Sequence, residues 1–346
     1  MTGRRRLVVD LNATSRTWAI PPAGVDRIRG AAPPDWEVVA VTAPTVSDGD
    51  GGRAATREVL DAVAEAEVYF GFGITRDLFL AAPHLRWVHS AAAGVGSLLF
   101  PEMLASDVVV TNSAGIMGDP IAEQVVAGVL HFVRGLDIAI AQQQRGEWNK
   151  APFVAEDTPV RELAECRAVV IGMGGIGQGV ARRLSALGCR CTGVRRRTHL
   201  PLPDGFERQV ALDDLDGELA EADVVVLATP LTPLTRDVLD GRRLDCLPRR
   251  AIVVNVARGA LLDEAALAER LAAGRLRGAV LDVFREEPLP ASSPLWRLPN
   301  VLLTPHIAAV SPRMFWEREL ELFLDNWQRY RDGRPLRNLV DKDAGY

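Results

Sequence analysis

Cysteine is scarce in this sequence. The 346 residues include four cysteines, which are scattered at Cys166, Cys189, Cys191 and Cys246. So few cysteines in a chain of this length do not make a disulfide framework. Cys189 and Cys191 alternate along a predicted strand, so their side chains point to opposite faces and do not share a metal ion. We therefore expect no metal site and a reducing, cytoplasmic location.

Long apolar runs and a dominant charge are also missing. The basic run at residues 4–6 is followed by only three apolar residues before Asp10, too few for the apolar region of a signal peptide. No stretch reaches the length of a membrane span. The formal net charge of −5 gives no general attraction to nucleic acid or to an anionic membrane. We expect neither of them among the partners.

Short apolar runs typical of strands alternate with helical segments in two successive series, which predicts an α/β fold with parallel sheets. The first series occupies residues 1–111, and the second begins at Ala168. Between them, Asp119 predicts the start of one long apolar helix that ends near Gln144. Such a helix is usually buried between domains or subunits. An amphipathic helix over residues 312–331 follows the second series.

The second series opens with a glycine turn of the form GxGxxG. The turn follows an apolar strand and precedes a helical segment, which is the context of a dinucleotide-binding turn. Gly172 permits the tight turn, Gly174 lets the backbone approach a pyrophosphate, and Gly177 lets helix and strand pack closely. The helix begins with Gly175 and Ile176, and its N-terminus offers N–H groups and a partial positive charge to the phosphates. We predict that a dinucleotide binds here.

A basic cluster stands where NAD-binding proteins carry an acid. In those proteins an acidic residue about 20 positions past the turn binds the ribose 2′-hydroxyl. This chain has Arg195, Arg196 and Arg197 there, and guanidinium groups bind a 2′-phosphate through charge-assisted hydrogen bonds. The cluster predicts a preference for NADP(H), with NAD(H) still possible. The alternative is a basic loop that is only solvated.

Similarity to a known family extends over nearly the whole chain. Residues 162–177 resemble a cofactor block, and residues 222–235 a second signature. Residues 255–263 (NVARGALLD) resemble a third, and residues 281–288 (LDVFREEP) and 304–307 (TPHI) complete the set. With these blocks the chain resembles the D-isomer-specific 2-hydroxyacid dehydrogenases, the family that contains glyoxylate/hydroxypyruvate reductase, D-lactate dehydrogenase and phosphoglycerate dehydrogenase.

The resemblance implies two Rossmann-like domains with parallel sheets and a cleft between them. The chain would cross twice, so that residues 1–111 and 308–346 form a discontinuous substrate (lid) domain. Residues 112–307 would form the dinucleotide-binding domain. The long helix after Asp119 resembles the family's crossing helix, whose surroundings form the dimer interface in relatives. We therefore expect a homodimer.

The resemblance also assigns three side chains to the reduction of a 2-keto acid. Besides a hydride, that reaction needs an anchored carboxylate, a polarised carbonyl and a proton for the forming alkoxide. Arg258 matches the family's catalytic arginine, whose planar fork suits a carboxylate and a carbonyl oxygen. His306 matches the acid/base histidine, and Glu287 the carboxylate that pairs with it. Taken alone, each has another interpretation: an ion-paired arginine, a surface histidine and a solvated acidic loop.

Further contacts are implied by the same blocks. The loop after residue 90 resembles the one whose N–H groups bind the substrate carboxylate, although an ordinary strand-to-helix turn is the alternative. Many relatives carry Asp or Asn at the position of Gly96, where this chain departs from the family. The substrate contacts are Ala93, Gly94, Val95, Arg258 and His306. The remaining cofactor contacts are Thr229, Pro230, Thr235, Val256, Ala257 and Asp282.

The resulting hypothesis is an NAD(P)-dependent D-2-hydroxyacid dehydrogenase or 2-keto acid reductase that acts on a small acid such as glyoxylate or hydroxypyruvate. Glu287 stands where formate dehydrogenases carry glutamine, which disfavours formate oxidation. A phosphite dehydrogenase of the same family would share Arg258, Glu287 and His306. A dinucleotide-sensing corepressor would also keep this fold, but it would need disordered tails, and their compositional signature is absent.

Overall fold

The computed structural model describes residues 4–45 and 55–345. The chain divides into two compact units: unit 1 is Met1–Met117 with Ser311–Tyr346, and unit 2 is Gly118–Val310. These boundaries lie a few residues beyond the expected 111 and 307. One reason is that the last strand of unit 1 continues to Asn112, whose side chain donates to a carbonyl oxygen of the same unit. That unit 1 is the substrate domain and unit 2 the dinucleotide-binding domain stays a prediction.

Strands and helices alternate along the described chain. The strands are β1 (Arg5–Asp10), β2 (Trp36–Ala40), β3 (Val68–Gly71), β4 (Trp87–Ser90), β5 (Val109–Asn112), β6 (Arg167–Ile171), β7 (Arg190–Val194), β8 (Arg208–Val210), β9 (Val224–Leu227), β10 (Ile252–Asn255), β11 (Gly278–Leu281) and β12 (Val301–Leu303). The α-helices are α1 (Pro22–Ala31), α2 (Arg57–Val63), α3 (Arg76–Leu80), α4 (Pro101–Leu104), α5 (Gly118–Val133), α6 (Leu136–Arg145), α7 (Ala151–Val154), α8 (Gly175–Ala186), α9 (Leu215–Leu219), α10 (Gly241–Cys246), α11 (Glu264–Ala272) and α12 (Phe315–Arg331).

Unit 1 contains a parallel sheet in the order β2-β1-β3-β4-β5. Successive side chains of a strand point to opposite faces, and both faces of this sheet are apolar. Val8 and Tyr69 belong to the core cluster on one face, whereas Leu7 and Phe70 belong to the cluster on the other. The aromatic ring of Phe323 on α12 stacks on Phe70, with 4.0 Å between the centroids. Helices therefore cover the sheet on two sides.

A fully buried polar network joins α12 to the sheet of unit 1. His89 on β4 lies with its Nε2 3.1 Å from Oε1 of Glu319, and neither side chain is exposed to solvent. The Nδ1 atom of His89 lies 2.7 Å from the hydroxyl of Thr111, which accepts from the indole N–H of Trp87 at 2.9 Å. Because the carboxylate can only accept, the hydrogen bond to Glu319 uses a proton on Nε2 of His89. Both ring nitrogens are thus in use.

Unit 2 contains a second parallel sheet, in the order β12-β11-β10-β9-β6-β7-β8. Its central strands are buried and, apart from Asn255 at the end of β10, apolar, as expected for strands covered on both faces. Helix α5 packs closely on this layer, because a Cβ at Gly128 would lie 2.7 Å from the side chain of Val280. The predicted parallel α/β architecture is present in both units.

The single long helix predicted after Asp119 is wrong, because the segment forms two helices. Helix α5 ends at Val133, α6 starts at Leu136, and the two axes differ by 69°. Gly135 between them has a left-handed backbone with φ of +67°, which residues with a side chain rarely adopt. In the described ranges no single helix is long and apolar enough to cross a membrane; only this bent pair together meets that test of length and composition.

Candidate active site

The glycine turn of unit 2 is tight at both ends and open in the middle. Gly172 has φ of +106°, and a Cβ there would lie 2.3 Å from the carbonyl oxygen of Ala228. A Cβ at Gly177 would lie 1.9 Å from the carbonyl oxygen of Gly172. At Gly174, in contrast, no atom beyond its chain neighbours lies within 4 Å of a Cβ, so free space adjoins the N-terminus of α8. The turn therefore fits a pyrophosphate group bound by the first N–H groups of that helix.

This turn lies where the strand order of the unit 2 sheet reverses. Strand β6, which precedes it, pairs with β7 on one side and with β9 on the other. Open parallel sheets bind ligands beyond the carboxyl ends of their strands at such a point. Thr229 and Pro230 follow β9, and Val256 and Ala257 follow β10. These four predicted cofactor residues thus share the sheet edge with the glycine turn.

Thr235, another predicted cofactor residue, is bonded within its own segment. Its hydroxyl donates to the carbonyl oxygen of Pro230 at 2.7 Å and accepts from the backbone N–H of Thr232 at 2.8 Å. The side chain folds the segment after β9 back on itself. In this structure Thr235 therefore shapes the loop that contains Pro230.

The three arginines after β7 differ in their surroundings. The Nη2 atom of Arg195 donates to the carbonyl oxygens of Leu200 at 2.5 Å and Pro201 at 2.9 Å, so this side chain closes its own loop. Arg196 and Arg197 are exposed to solvent. The cluster therefore combines one arginine that shapes the loop with two whose positive charge faces the surroundings.

Arg258 is carried by a turn that Asn255 holds. Asn255 is fully buried at the end of β10; its amide donates to the carbonyl oxygen of Arg258 at 2.9 Å, and its Oδ1 accepts from Ala257 N at 3.2 Å. The Arg258 side chain is exposed, and its Nη1 donates to the carbonyl oxygen of Ala257 at 2.6 Å. Asn255 was absent from the sequence-predicted site. A buried amide that ends an otherwise apolar strand was the signal that could have found it.

Glu287 and His306 form the predicted pair. Nδ1 of His306 lies 2.7 Å from Oε2 of Glu287, and the other oxygen, Oε1, accepts from the backbone N–H of Phe284 at 2.8 Å. The carboxylate can only accept, so the imidazole carries a proton on Nδ1. Both side chains are about one-third exposed, at 37% and 35%. Nε2 of His306 has no hydrogen-bond partner in the described part of the chain and remains accessible.

Asp282 anchors the loop that carries His306. Although it follows β11, its carboxylate is buried and points to the loop after β12, where it accepts from Thr304 Oγ1 at 2.5 Å, Ile307 N at 2.9 Å and Ala308 N at 2.9 Å. Its backbone oxygen also accepts from His306 N at 2.8 Å. His306 adopts a φ of +53°, which is uncommon for a residue with a side chain. These four hydrogen bonds hold that conformation, a role that the sequence prediction of a cofactor contact did not include.

Gly259 brings the arginine turn against the loop of the acid/base pair. A Cβ at this position would lie 1.9 Å from the carbonyl carbon of Phe284 and 2.3 Å from the backbone N of Arg285. No side chain fits there. The turn of Arg258 and the loop of Glu287 are therefore in direct backbone contact, at the ends of the neighbouring strands β10 and β11.

The predicted substrate-carboxylate loop lies at the end of β4 in unit 1. Ala93 and Gly94 are exposed, the side chain of Val95 is buried, and Asn112 holds the loop by donating to the Ala93 carbonyl oxygen at 2.7 Å. In the described structure none of the N–H groups of residues 93–95 donates a hydrogen bond. At Gly96 a Cβ would meet nothing within 4 Å. The space around this position would therefore also accept a residue with a side chain, such as the Asp or Asn of many relatives.

Thiols and metal ligands are dispersed. All four cysteines are free, and three are buried. Residues 4–45 and 55–345 contain no group of three or more His, Cys, Asp or Glu side chains that could hold a metal ion. Burial raises the pKa of the Cys166 thiol to about 11, so this group stays protonated near neutral pH.

Comparison with known proteins shows the family. The sequence model of the "D-isomer specific 2-hydroxyacid dehydrogenase, NAD binding domain" matches residues 126–308, more than half of the chain. The chain belongs to the D-isomer-specific 2-hydroxyacid dehydrogenase family. This confirms the predicted family, and the matched domain confirms the prediction of a nicotinamide dinucleotide. The family consists of NAD(P)-dependent oxidoreductases that act on hydroxyacids.

Individual relatives agree with this assignment. Glyoxylate/hydroxypyruvate reductase A of Salmonella newport is 34% identical over 275 residues, which are 77% of this chain and 84% of that protein. D-3-phosphoglycerate dehydrogenase of Methanocaldococcus jannaschii is also 34% identical, over 73% of this chain, but only 47% of its own length is spanned. The crystal structure of a family member from Xanthobacter autotrophicus Py2 with NADPH and MES superimposes with a TM-score of 0.80 at 31% identity, covering 99% of this chain and 100% of that one. The predicted two-domain α/β fold class is thereby confirmed.

Proposed function

We propose that this chain is an NADPH-dependent reductase of small 2-keto acids, that is, a D-2-hydroxyacid dehydrogenase of the glyoxylate/hydroxypyruvate type. The observation that carries the proposal is the 2.7 Å contact between His306 Nδ1 and Glu287 Oε2, in a loop that touches the turn of Arg258. An acid/base pair whose loop adjoins the turn of Arg258, at the sheet edge that also holds the glycine turn, supplies what carbonyl reduction needs besides a hydride.

His306 is the proton donor in the proposed reduction. NADPH, when bound, supplies a hydride to the carbonyl carbon of the substrate. Glu287 occupies Nδ1 of the ring, so the proton that leaves the imidazolium is the one on Nε2. It passes to the carbonyl oxygen, which leaves a hydroxy acid and a neutral imidazole. In the oxidative direction the same nitrogen takes the hydroxyl proton.

Arg258 would bind the substrate carboxylate and the carbonyl oxygen. One of its N–H groups is used on the Ala257 carbonyl oxygen, and the rest of the planar fork is available for a bidentate contact. Its positive charge would also stabilise the alkoxide as it forms. The unpaired N–H groups of Ala93, Gly94 and Val95 are proposed as the second anchor of the carboxylate.

The proposed preference for NADPH depends on the exposed arginines after β7. Arg196 and Arg197 place positive charge where NAD-specific relatives have an acid, and Arg195 fixes the loop that presents them. The Xanthobacter relative was crystallised with NADPH. We expect a higher kcat/KM with NADPH than with NADH. An equal or better value with NADH would contradict the preference.

The central experiment measures NADPH oxidation by the full-length chain with 2-keto acids of increasing size. We expect the highest kcat/KM with glyoxylate or hydroxypyruvate, the substrates named for the Salmonella relative. Phosphite and formate with NADP⁺ serve as the comparison. No turnover with any 2-keto acid, or faster oxidation of phosphite, would overturn the proposal.

We also propose that the protein is a cytoplasmic homodimer. Apolar side chains are exposed on and after α6, which supports a covered surface there: Leu136, Ile140, Trp148 and Val154. Trp148 is 91% exposed in the isolated chain. The cytoplasmic location is supported by the absence of a disulfide among the four cysteines. Light scattering coupled to size-exclusion chromatography tests the dimer, and a monomer would contradict it.

A further inference from the structure

A second carboxylate, Glu264, supports the loop that carries Glu287. Glu264 is the first residue of α11 and is half-buried. Its Oε2 accepts from the backbone N–H of Arg285 at 2.8 Å. Arg285 lies two positions before Glu287, so this hydrogen bond fixes the main chain immediately ahead of the carboxylate that pairs with His306.

The segment from Phe284 to Glu287 is held at three further points. The backbone N–H of Phe284 donates to Oε1 of Glu287, which closes a small turn. The guanidinium group of Arg285 donates to the carbonyl oxygen of Leu262 at 2.7 and 2.9 Å and forms an ion pair with Asp237. Among these anchors, Glu264 alone links α11 to a backbone N–H of the segment. That N–H belongs to Arg285, which the backbone of Gly259 also approaches.

The charge of Glu264 also faces that of Glu287. Burial raises the pKa of Glu264, the hydrogen bond from Arg285 N lowers it, and the neighbouring charge of Glu287 raises it, with a net increase. Two carboxylates in one loop region repel each other when both are ionised. Each carboxylate is held by a different backbone N–H of the segment, Glu264 by that of Arg285 and Glu287 by that of Phe284.

We propose that Glu264 is a positioning residue for the acid/base pair: by accepting from Arg285 N, it places Glu287 within hydrogen-bond distance of Nδ1 of His306. This inference rests on the proposed function. The substrate and cofactor contacts of that function do not include Glu264, so its substitution should affect kcat and leave the binding of NADPH unchanged.

The test compares Glu264→Ala with Glu264→Gln in steady-state reduction of glyoxylate or hydroxypyruvate by NADPH. The alanine variant should lose about tenfold in kcat, because the backbone N–H loses its acceptor, with an unchanged Kd for NADPH. The glutamine variant keeps an acceptor oxygen and should stay within about twofold of wild type. Glu269→Ala is the matched control, since Glu269 lies on the same helix with its side chain 78% exposed.

A double-substitution cycle separates positioning from general support of the fold. If Glu264 acts through Glu287, Glu264→Ala should add no further loss of kcat in a Glu287→Gln background. Multiplicative losses, a glutamine variant as slow as the alanine variant, or wild-type kcat in Glu264→Ala would overturn the inference. If Glu264→Ala does not fold, Glu264→Met, which has similar volume and no comparable acceptor, replaces it. Failure of the proposed function would be visible separately, as a wild-type enzyme without activity on 2-keto acids.

Discussion

Two histidine–glutamate pairs occur in the described part of this molecule, one in each unit, and they differ in accessibility. In unit 1, His89 and Glu319 are entirely buried, and the second ring nitrogen of His89 is bonded to Thr111. In unit 2, His306 and Glu287 are each about one-third exposed, and Nε2 of His306 has no partner in the described chain. The same two side chains therefore form a fully hydrogen-bonded network in one unit and leave one ring nitrogen accessible in the other.

The difference indicates which features separate a structural pair from the pair that we propose for acid/base chemistry. The contact between the two side chains is not the criterion, because it is present in both units. The criteria are whether the second ring nitrogen has a partner and what surrounds the pair. His89 is surrounded by aromatic rings, whereas the loop of Glu287, the partner of His306, adjoins the turn of Arg258. Substitutions at both pairs and at the residues that support them test these criteria.

His306→Asn should remove most of the activity and little of the stability. Loss of a general acid/base typically lowers kcat by about 10²- to 10⁴-fold. Because His306 is partly exposed, the melting temperature should change by no more than about 2 °C. The measurement is steady-state kinetics with NADPH beside a thermal melt. His84→Asn, at an exposed histidine, is the control. A kcat near wild type would remove His306 from the proposed mechanism.

Glu319→Ala should have the opposite outcome. Truncation leaves the Nε2–H group of His89 buried without an acceptor and opens a cavity, which costs about 3 kcal/mol of the free energy of unfolding. The kcat of the folded fraction should stay within about twofold. Denaturant unfolding is the measurement. Glu317→Ala on the same helix is the control, since Glu317 is 55% exposed. A large loss of kcat at unchanged stability would contradict the structural role of the His89–Glu319 pair.

Arg258→Lys tests the guanidinium group that we propose for substrate binding. Lysine keeps the charge but cannot form the planar two-point contact, so kcat/KM should fall on the order of a hundredfold. The affinity for NADPH, measured by fluorescence titration, should not change. Activity close to wild type would show that charge alone suffices and that the bidentate contact is not used.

Asp282→Asn tests how the loop of His306 is held. The amide retains one acceptor oxygen for the loop after β12 and loses the other, so kcat should decrease about tenfold. The Kd for NADPH should be unchanged if Asp282 acts only through His306. A weaker Kd with an unchanged kcat would instead support the cofactor contact implied by the resemblance.

The features that could be predicted from the sequence are local. The glycine turn and the apolar strands β6, β7 and β10 follow from periodicity and residue type within a few positions, and the structure places them as expected. The break at Gly135 was missed because a lone glycine in an apolar helix is compatible with continuation as well as with a break. Strand β8 was missed because its three residues show little apolar character.

The supports of the site depend on distant residues, which no local pattern reveals. Asp282 and its partners at 304–308 are more than 20 positions apart, so an acid after a strand could equally contact a ligand or a neighbouring loop. His89 and Glu319 are separated by 230 positions, and only the packing of α12 on the sheet makes them partners. The sequence predicts the groups that we propose for the chemistry, but not the groups that hold them in place.

The close approach at Gly259 has a consequence for exchanging parts between related proteins. Its backbone and that of Phe284 and Arg285 fit together without room for one methyl group. A chimera that takes only the Gly259 loop or only the Phe284–Arg285 loop from a relative would combine two loops whose backbones do not fit each other. Residues 255–263 and 282–288 should therefore be transferred as a single cassette if the recombined enzyme is to keep its turnover.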